Sequence, residues 1–264
     1  MNREWVGARI LRSYAWFLSL TLLLSCKKWD LPVQADSLLN GLIAYYPFNG
    51  SVFDASGNNL NGQLINGATF GPDRRDVNQA ALLLDGVDDY FEIPDNVKLR
   101  PDSISISLWL QVSRLVSTSH IYNKSNYQSH ENQQYSAFVR PPKTPNPPTP
   151  GYEFVIDINN DGLCTIEQPI QNAVVYYDPA YALSRWYHFV SVFVGQTHRL
   201  YINGELRKVQ KEPSVNPIDR CAGGNLRFGA QADYDPNNFG GQMDEIRIYN
   251  RGLTEVEIRR LYNR

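Results

Sequence analysis

SISISLWLQV, residues 103–112, decides the fold. Ile104, Ile106, Leu108, Leu110 and Val112 alternate with Ser103, Ser105, Ser107, Trp109 and Gln111. A period of two sustained over ten residues sorts apolar from polar side chains only if the chain is extended, so this is a half-buried β-strand. WYHFVSVFV (186–194) is apolar on both faces and reads as a central strand covered twice. HRLYINGELRKV (198–209) carries Asn203-Gly204 between two strand patterns, the strongest short hairpin signal.

Working outward, LIAYYPF (42–48), AALLLD (80–85), YFEI (90–93), QYSAFV (134–139), YEFVIDI (152–158), NLRFGA (225–230) and EIRIY (245–249) add further strands. One helix closes the chain. Thr254 and Glu257 have capping-box spacing, Leu253 and Ile258 are placed as a hydrophobic staple, and the helix runs to about Tyr262. Many short strands with one closing helix predict an all-β fold, a two-sheet antiparallel jelly-roll sandwich with one short C-terminal helix.

The N-terminus has a different character. Arg3, Arg9 and Arg12 face a single acid, Glu4, and then AWFLSLTLLLS (15–25) is uncharged and apolar. Eleven residues are too few to span a bilayer as a helix, which takes about 20, but suit the apolar region of a secretory signal. LLSC (23–26) resembles the lipobox of bacterial lipoproteins, which implies cleavage before Cys26 and lipidation of that residue. An ordinary signal peptide or a short N-terminal anchor is the alternative. The expected organisation is a signal at 1–25, a lipidated cysteine and tether at 26–40, and one domain at 41–264. This implies an exported, membrane-anchored protein that is outer-membrane, periplasmic or surface-exposed. The start CKK also resembles lipoproteins of Bacteroidota-like bacteria.

Removing Cys26 leaves Cys164 and Cys221, and an even remainder in an oxidising compartment predicts one disulfide, against two unpaired thiols. A net charge of −2 supplies no basic field for nucleic acid. RPPKTPNPPTPG (140–151), with six prolines between 141 and 150, is a stiffened extended loop within the domain.

YYPFNGSVFDASGNNLNG (45–62), LLLDGVDDYFEIP (82–94), SISLWLQV (105–112), RWYHFVSVFVGQTHRLYINGEL (185–206) and FGGQMDEIRIYNRGLTEVEIRRLYN (239–263) together resemble the concanavalin A-like jelly rolls of the laminin-G-like type. The order and spacing match from about residue 41 to the end, while 113–180 matches no motif. The resemblance implies the fold. It leaves lectins, glycan-binding modules, glycosidases and adhesion domains open.

DASGNNLNG (54–62) is not an EF-hand, because its first glycine is fourth and position twelve is Ile65. Alternation along QMDEIRIY (242–249) places Asp244 on the side of Ile246 and Ile248, facing the core, where a carboxylate needs a partner. The resemblance implies a structural Ca2+ between an N-terminal loop and a C-terminal aspartate, and the matching positions are Asp54, Asn58 and Asp244. The alternative is an Asx-rich loop, with Asp244 bonded to backbone amides.

No paired catalytic carboxylate motif is found. Glu153 and Asp157 share a strand face but lie roughly 13 Å apart, too far for hydrolysis with retention, and read as acids on a solvated face. Asp85, Asp88 and Asp89 read as a turn before a strand, and His188 as a packed residue of its strand. A non-enzymatic binding role is expected, with no G-x-S-x-G, phosphate loop or dinucleotide fingerprint. Aromatic faces cover the apolar side of a sugar ring, and sixteen tyrosines are available. Those of the unmatched middle, Tyr122, Tyr127, Tyr135, Tyr152, Tyr176, Tyr177 and Tyr181, are candidates, with Tyr127, Tyr135, Tyr152, Tyr177 and Tyr181 taken as ligand-binding. Trp109 is assigned a packed, structural role and Trp186 to the core. The expected partner is a glycan. A cell-surface protein bound by an adhesion module comes second, and a glycoside hydrolase third.

Overall fold

The computed structural model describes residues 37–264 apart from 116, 126–133, 143–150, 161, 163, 165–172, 213–215 and 232–237. The expectations for residues 1–36, Cys26 included, and for Tyr127 lie outside the described residues. In chain order the strands are β1 (Leu42–Tyr46), β2 (Gln63–Ile65), β3 (Thr69–Gly71), β4 (Ala81–Asp85), β5 (Tyr90–Ile93), β6 (Ile104–Arg114), β7 (Ser119–Lys124) and β8 (Tyr135–Arg140). They continue as β9 (Tyr152–Ile158), β10 (Val174–Asp178), β11 (Trp186–Val194), β12 (Thr197–Ile202), β13 (Glu205–Lys211), β14 (Leu226–Phe228) and β15 (Gly240–Tyr249), and α1 spans Glu255–Tyr262.

Two antiparallel sheets stack face to face. The first runs β13-β12-β11-β6-β15-β4-β3, with β1 added against β15; the second runs β10-β9-β8-β7-β14-β5-β2. Every adjacent pair is antiparallel, as expected of a jelly roll. The alternation that opened the reading holds: Ile104, Ile106, Leu108, Leu110 and Val112 all enter the core between the sheets, with Phe91, Phe154, Phe189 and Phe228 from neighbouring strands.

The first sheet is covered on its other face too. There Val190, Val192, Tyr201 and Tyr249 pack beneath Leu253, Ile258 and Leu261 of the helix segment, and Leu38 of the short Ser37–Leu39 helix joins them. That explains why β11 is apolar on both faces. The capping box is formed as the sequence predicts, with Thr254 Oγ1 accepting from the Glu257 amide and Glu257 accepting from the Thr254 amide. Beside the helix end, Trp109 lies between Tyr262 (ring centroids 5.6 Å apart), the Arg74 guanidinium (4.7 Å) and His188. Burial, helped by Arg247 and Arg74, lowers His188 to about 3, so its ring is neutral and shares a hydrogen bond with Ser107 Oγ at 2.9 Å. Trp186 pairs with Gln111 and sits half-buried on this covered face rather than in the inter-sheet core.

Asn203 (φ 54°) and Gly204 (φ 76°) make the two-residue turn between β12 and β13, the left-handed pair such a hairpin requires. At Gly241 a Cβ would lie 2.0 Å from the Gln111 carbonyl oxygen, so β6 and β15 approach closely only because no side chain is there.

Cys164 and Cys221 are joined as a disulfide, Cα atoms 5.6 Å apart, tying the segment after β9 to the segment before β14.

Candidate functional site

The first sheet has its outer face taken up by α1. None of the described helices packs on the outer face of the second sheet. Strand register places one residue from each of six neighbouring strands in a straight row across that face. The row runs Asp157 (β9), Ser136 (β8), Asn123 (β7), Arg227 (β14), Glu92 (β5) and Gln63 (β2). All six are polar. At a strand spacing of about 4.8 Å the row extends roughly 24 Å. It grades from a buried end, with Asp157, Ser136 and Asn123 at 1–2 % exposure, to the open Gln63.

Hydrogen bonding sets the chemistry along the row. Arg227 Nε pairs with Glu92 Oε2 at 2.7 Å, and its guanidinium lies 4.9 Å from the Tyr90 ring centre. Asn123 Oδ1 accepts from Ser125 Oγ, while Asn123 Nδ2 is buried without a hydrogen-bond partner. A buried donor left unmade costs about 1–3 kcal/mol, so the middle of the row holds an unanswered demand for an acceptor. Two further rows lie on one side of it, one beyond the other. Val175, Val155, Phe138 and His120 form an apolar one, with the His120 and Phe138 rings 5.5 Å apart. Tyr177, Glu153 and Arg140 form the other, and Arg140 Nε bonds Glu153 Oε2 at 2.8 Å.

The face therefore carries a buried acid, hydroxyl and amide at one end and reaches solvent at Glu92 and Gln63 at the other. Strand alternation places Glu153 and Asp157 on this face as solvated acids, but Asp157 is buried. The same alternation misses Asn123, Ser136 and Arg227 because their adjacency exists only in the register of strands far apart in the chain.

The tyrosine expectations divide. Tyr135 is buried between the sheets, its hydroxyl donating to the Leu99 carbonyl, and Tyr181 is buried against Phe154 and Tyr187. Both are core residues, not ligand-binding ones, because their strand or loop positions point inward. Tyr152 is half-buried, its ring edge-on to Tyr181 at 5.2 Å. Tyr122 is buried and hydrogen-bonded to Ser191. Tyr177 keeps an exposed ring on the row-bearing face, at 37 %. Tyr176 lines a cleft at the sandwich edge.

The structure does not bring Asp54, Asn58 and Asp244 into one shell. Asp54 Oδ1 accepts from the Tyr45 and Ser56 amides at 3.0 and 2.8 Å, and Oδ2 from the Leu60 amide at 3.0 Å. Burial raises this carboxyl, but the hydrogen bonds from Ser56, Leu60 and Tyr45 outweigh it and hold it below the usual range. Asn58 Nδ2 donates to the Leu42 carbonyl and Oδ1 accepts from Lys98 Nζ, while Ser56 Oγ donates to the Ile43 carbonyl. The DASGNNLNG loop thus satisfies the backbone groups of β1 that β15 leaves unpaired, an edge-covering role.

Asp244 lies elsewhere for a definite reason. Between Asp244↔Trp109 and Arg247↔Ser107, β15 carries one residue more than β6, and Glu245 takes φ 56°. This bulge breaks the alternation, so Asp244 shares the outer face with Trp109 instead of the core side of Ile246. Its Oδ2 accepts from Arg74 at 3.0 Å and its Oδ1 from the Glu245 amide. Burial, with Glu245 adding and Arg74 opposing, pushes its carboxyl up to about 7. These three residues do not fit a shared calcium. Asp85, Asp88 and Asp89 do cluster, yet Asp89 spends its oxygens on the Gly67 and Asp85 amides, which is the turn that sequence predicts.

Comparison with known proteins bears on the fold. Residues 85–259 match the laminin-G-like family profile described as the concanavalin A-like lectin/glucanases superfamily. No curated protein sequence matches. Among solved structures, domain 4 of AbnA, an extracellular arabinanase from Geobacillus stearothermophilus in complex with arabinotriose, superposes with a TM-score of 0.58 at 17 % identity, covering 84 % of this chain and 98 % of that one. The ligand-binding domain of botulinum neurotoxin serotype D in complex with N-acetylneuraminic acid gives 0.60 at 16 %, over 86 % of this chain and 52 % of that one. The binding domain of Paraclostridial Mosquitocidal Protein 1 gives 0.62 at 16 %, over 86 % and 52 %. The chain spans about half the length of the two toxin domains. At these identities the likeness is one of fold.

Proposed function

We propose a function from one premise: the chain belongs to the concanavalin A-like lectin/glucanases superfamily. The protein is a non-catalytic glycan-binding module, and it binds on the outer face of the second sheet. The observation that carries this reading is the six-residue polar row, which reaches solvent at Glu92 and Gln63. Sugars present alternating hydroxyls and C–H faces. The solvent-reaching end of the row, Glu92 and Gln63, beside the half-buried Tyr90 ring, supplies polar groups and an apolar face of that kind. That arabinotriose and N-acetylneuraminic acid occupy similarly folded domains supports the class of ligand.

Spacing favours binding over hydrolysis. Glu153 and Asp157 are four residues apart on β9, roughly 13 Å, and Glu92 is four strands from Asp157, roughly 19 Å. Neither separation suits the paired carboxylates of retention or inversion, about 5 and 6.5–9.5 Å. The disulfide supports an exported protein, in keeping with the signal-like N-terminus and with anchoring through Cys26.

A broad glycan-binding screen tests the reading. The protein should bind one glycan class, and Gln63→Ala, at the exposed end of the row, should weaken that binding about 5-fold, the equivalent of roughly 1 kcal/mol. A folded protein that binds no glycan, or a Gln63→Ala protein that binds unchanged, would remove the basis for it.

A further inference from the structure

A second opening lies at the lateral edge of the sandwich, away from the polar row. β10 ends one sheet and β13 ends the other, and both ends fall on the same side. Between β10 and the β12–β13 hairpin is a cleft of about 370 Å³, lined by Tyr176, Asp178, Arg185, Tyr187, Asn203 and Arg207 among others. That volume is within the range of small-molecule sites.

Its chemistry is unusual for this chain. The whole sequence carries a net charge of −2, yet two guanidiniums line this one cleft. Arg185 is exposed, lies 5.9 Å from the Tyr187 ring centre, and has no carboxylate partner among the described residues. Arg207 pairs with Glu205 at 2.8 Å, but both side chains are open to solvent, so the pair is weak and readily exchanged for a better acceptor. The acid in the lining, Asp178, already accepts from the Ala180 amide through Oδ1. Asn203 Oδ1 accepts from the His188 amide, which leaves its NH2 as a donor. Burial, with Asp178 adding, raises the Tyr176 hydroxyl above its usual value, so it too stays a donor. The cleft therefore sets two guanidiniums and two neutral donors against one lining carboxylate, Asp178.

One side is not polar. The half-buried Tyr176 ring packs against the core, and Ile202 lies on the opposing hairpin. An inorganic anion would satisfy the arginines and leave this side wet. A pyranose carrying a carboxylate would use both, with the carboxylate taken bidentate by a guanidinium and the C–H face laid on the tyrosine ring. We infer that this cleft is a binding site for an acidic sugar of the uronate class, formed by Arg185, Arg207, Asn203 and Tyr176. It is separate from the row proposed above, so either site can stand without the other.

The test titrates the full protein with galacturonate and glucuronate, with galactose and glucose as neutral counterparts, and with inorganic phosphate, following binding by NMR. A uronate should bind at least ten-fold tighter than its neutral sugar. Arg185→Ala and Arg207→Ala, both exposed positions, should each weaken it five-fold or more with the melting temperature kept. Equal binding of uronate and neutral sugar, unchanged binding in both arginine variants, no saturable binding, or phosphate binding as tightly as uronate would each overturn the assignment.

Discussion

Replacing Asp54 tests the account of the DASGNNLNG loop most directly. Its carboxylate takes three backbone amides, those of Tyr45, Ser56 and Leu60, at 2.8–3.0 Å. A hydrogen bond to a charged acceptor contributes about 1.5–3 kcal/mol. Asp54 is only partly buried and water can reach part of the freed backbone, so about 1 kcal/mol per bond is the better figure, roughly 3 kcal/mol in all. For a domain of this size each kcal/mol moves Tm by about 2–4 °C. Asp54→Ala should therefore melt roughly 6–12 °C lower. Asp54→Asn keeps one acceptor but turns an NH2 toward a backbone donor, so it should fall between wild type and alanine. The pH dependence has a definite sign. The folded carboxyl is held below its unfolded value, near 3.9, so its contribution is present above that value and disappears as pH falls through the folded one. The alanine deficit should shrink in acid. Thermal melts of the three proteins, with and without a chelator, decide the matter. An alanine variant within a degree or two of wild type would refute the edge-covering role, and a chelator-sensitive wild type would show that an ion shares the work.

Three further outcomes are expected. Asp244 has its folded pKa raised to about 7, by burial first, against about 3.9 unfolded. Its stabilisation is complete below the unfolded value and is lost as pH rises toward 7, so the Tm of Asp244→Asn relative to wild type should climb between pH 4 and pH 7. A flat or opposite slope would show that Arg74 keeps the carboxylate ionised. Intact mass of the membrane-derived protein should show acyl chains on Cys26 and no free thiol at Cys164 or Cys221. Reduction should cost about 4 kcal/mol for a bridge spanning 57 residues. A free thiol, or an unacylated Cys26, would contradict the respective assignment.

The parts legible in the sequence were those written locally. The alternation at 103–112, the Asn203-Gly204 turn and the Thr254–Glu257 capping box each rest on residues near one another in the chain, and each appears as expected. β7 was not legible, because His120, Asn123 and Lys124 interrupt its apolar pattern; Lys124 is buried through bonds to Asp95 and the Gly224 carbonyl, which a pattern cannot show. β15 misled by a single residue. Glu245 adopts a left-handed backbone without a glycine to announce it, and everything before it changes face. The row was invisible for a third reason: Asp157, Asn123, Arg227 and Glu92 become neighbours only through pairing of distant strands.

The Ser37–Leu39 helix has a practical consequence. Arg251 donates to the Ser37 carbonyl and Arg260 to the Ser37 hydroxyl, so residue 37 is fastened beside the C-terminal helix, on the covered side of the first sheet. Both ends of the described domain therefore emerge on the back of the sandwich. A bead, a fluorophore or a sensor chip attached at either end would hold the domain from behind, with the Glu92 and Gln63 end of the row left free.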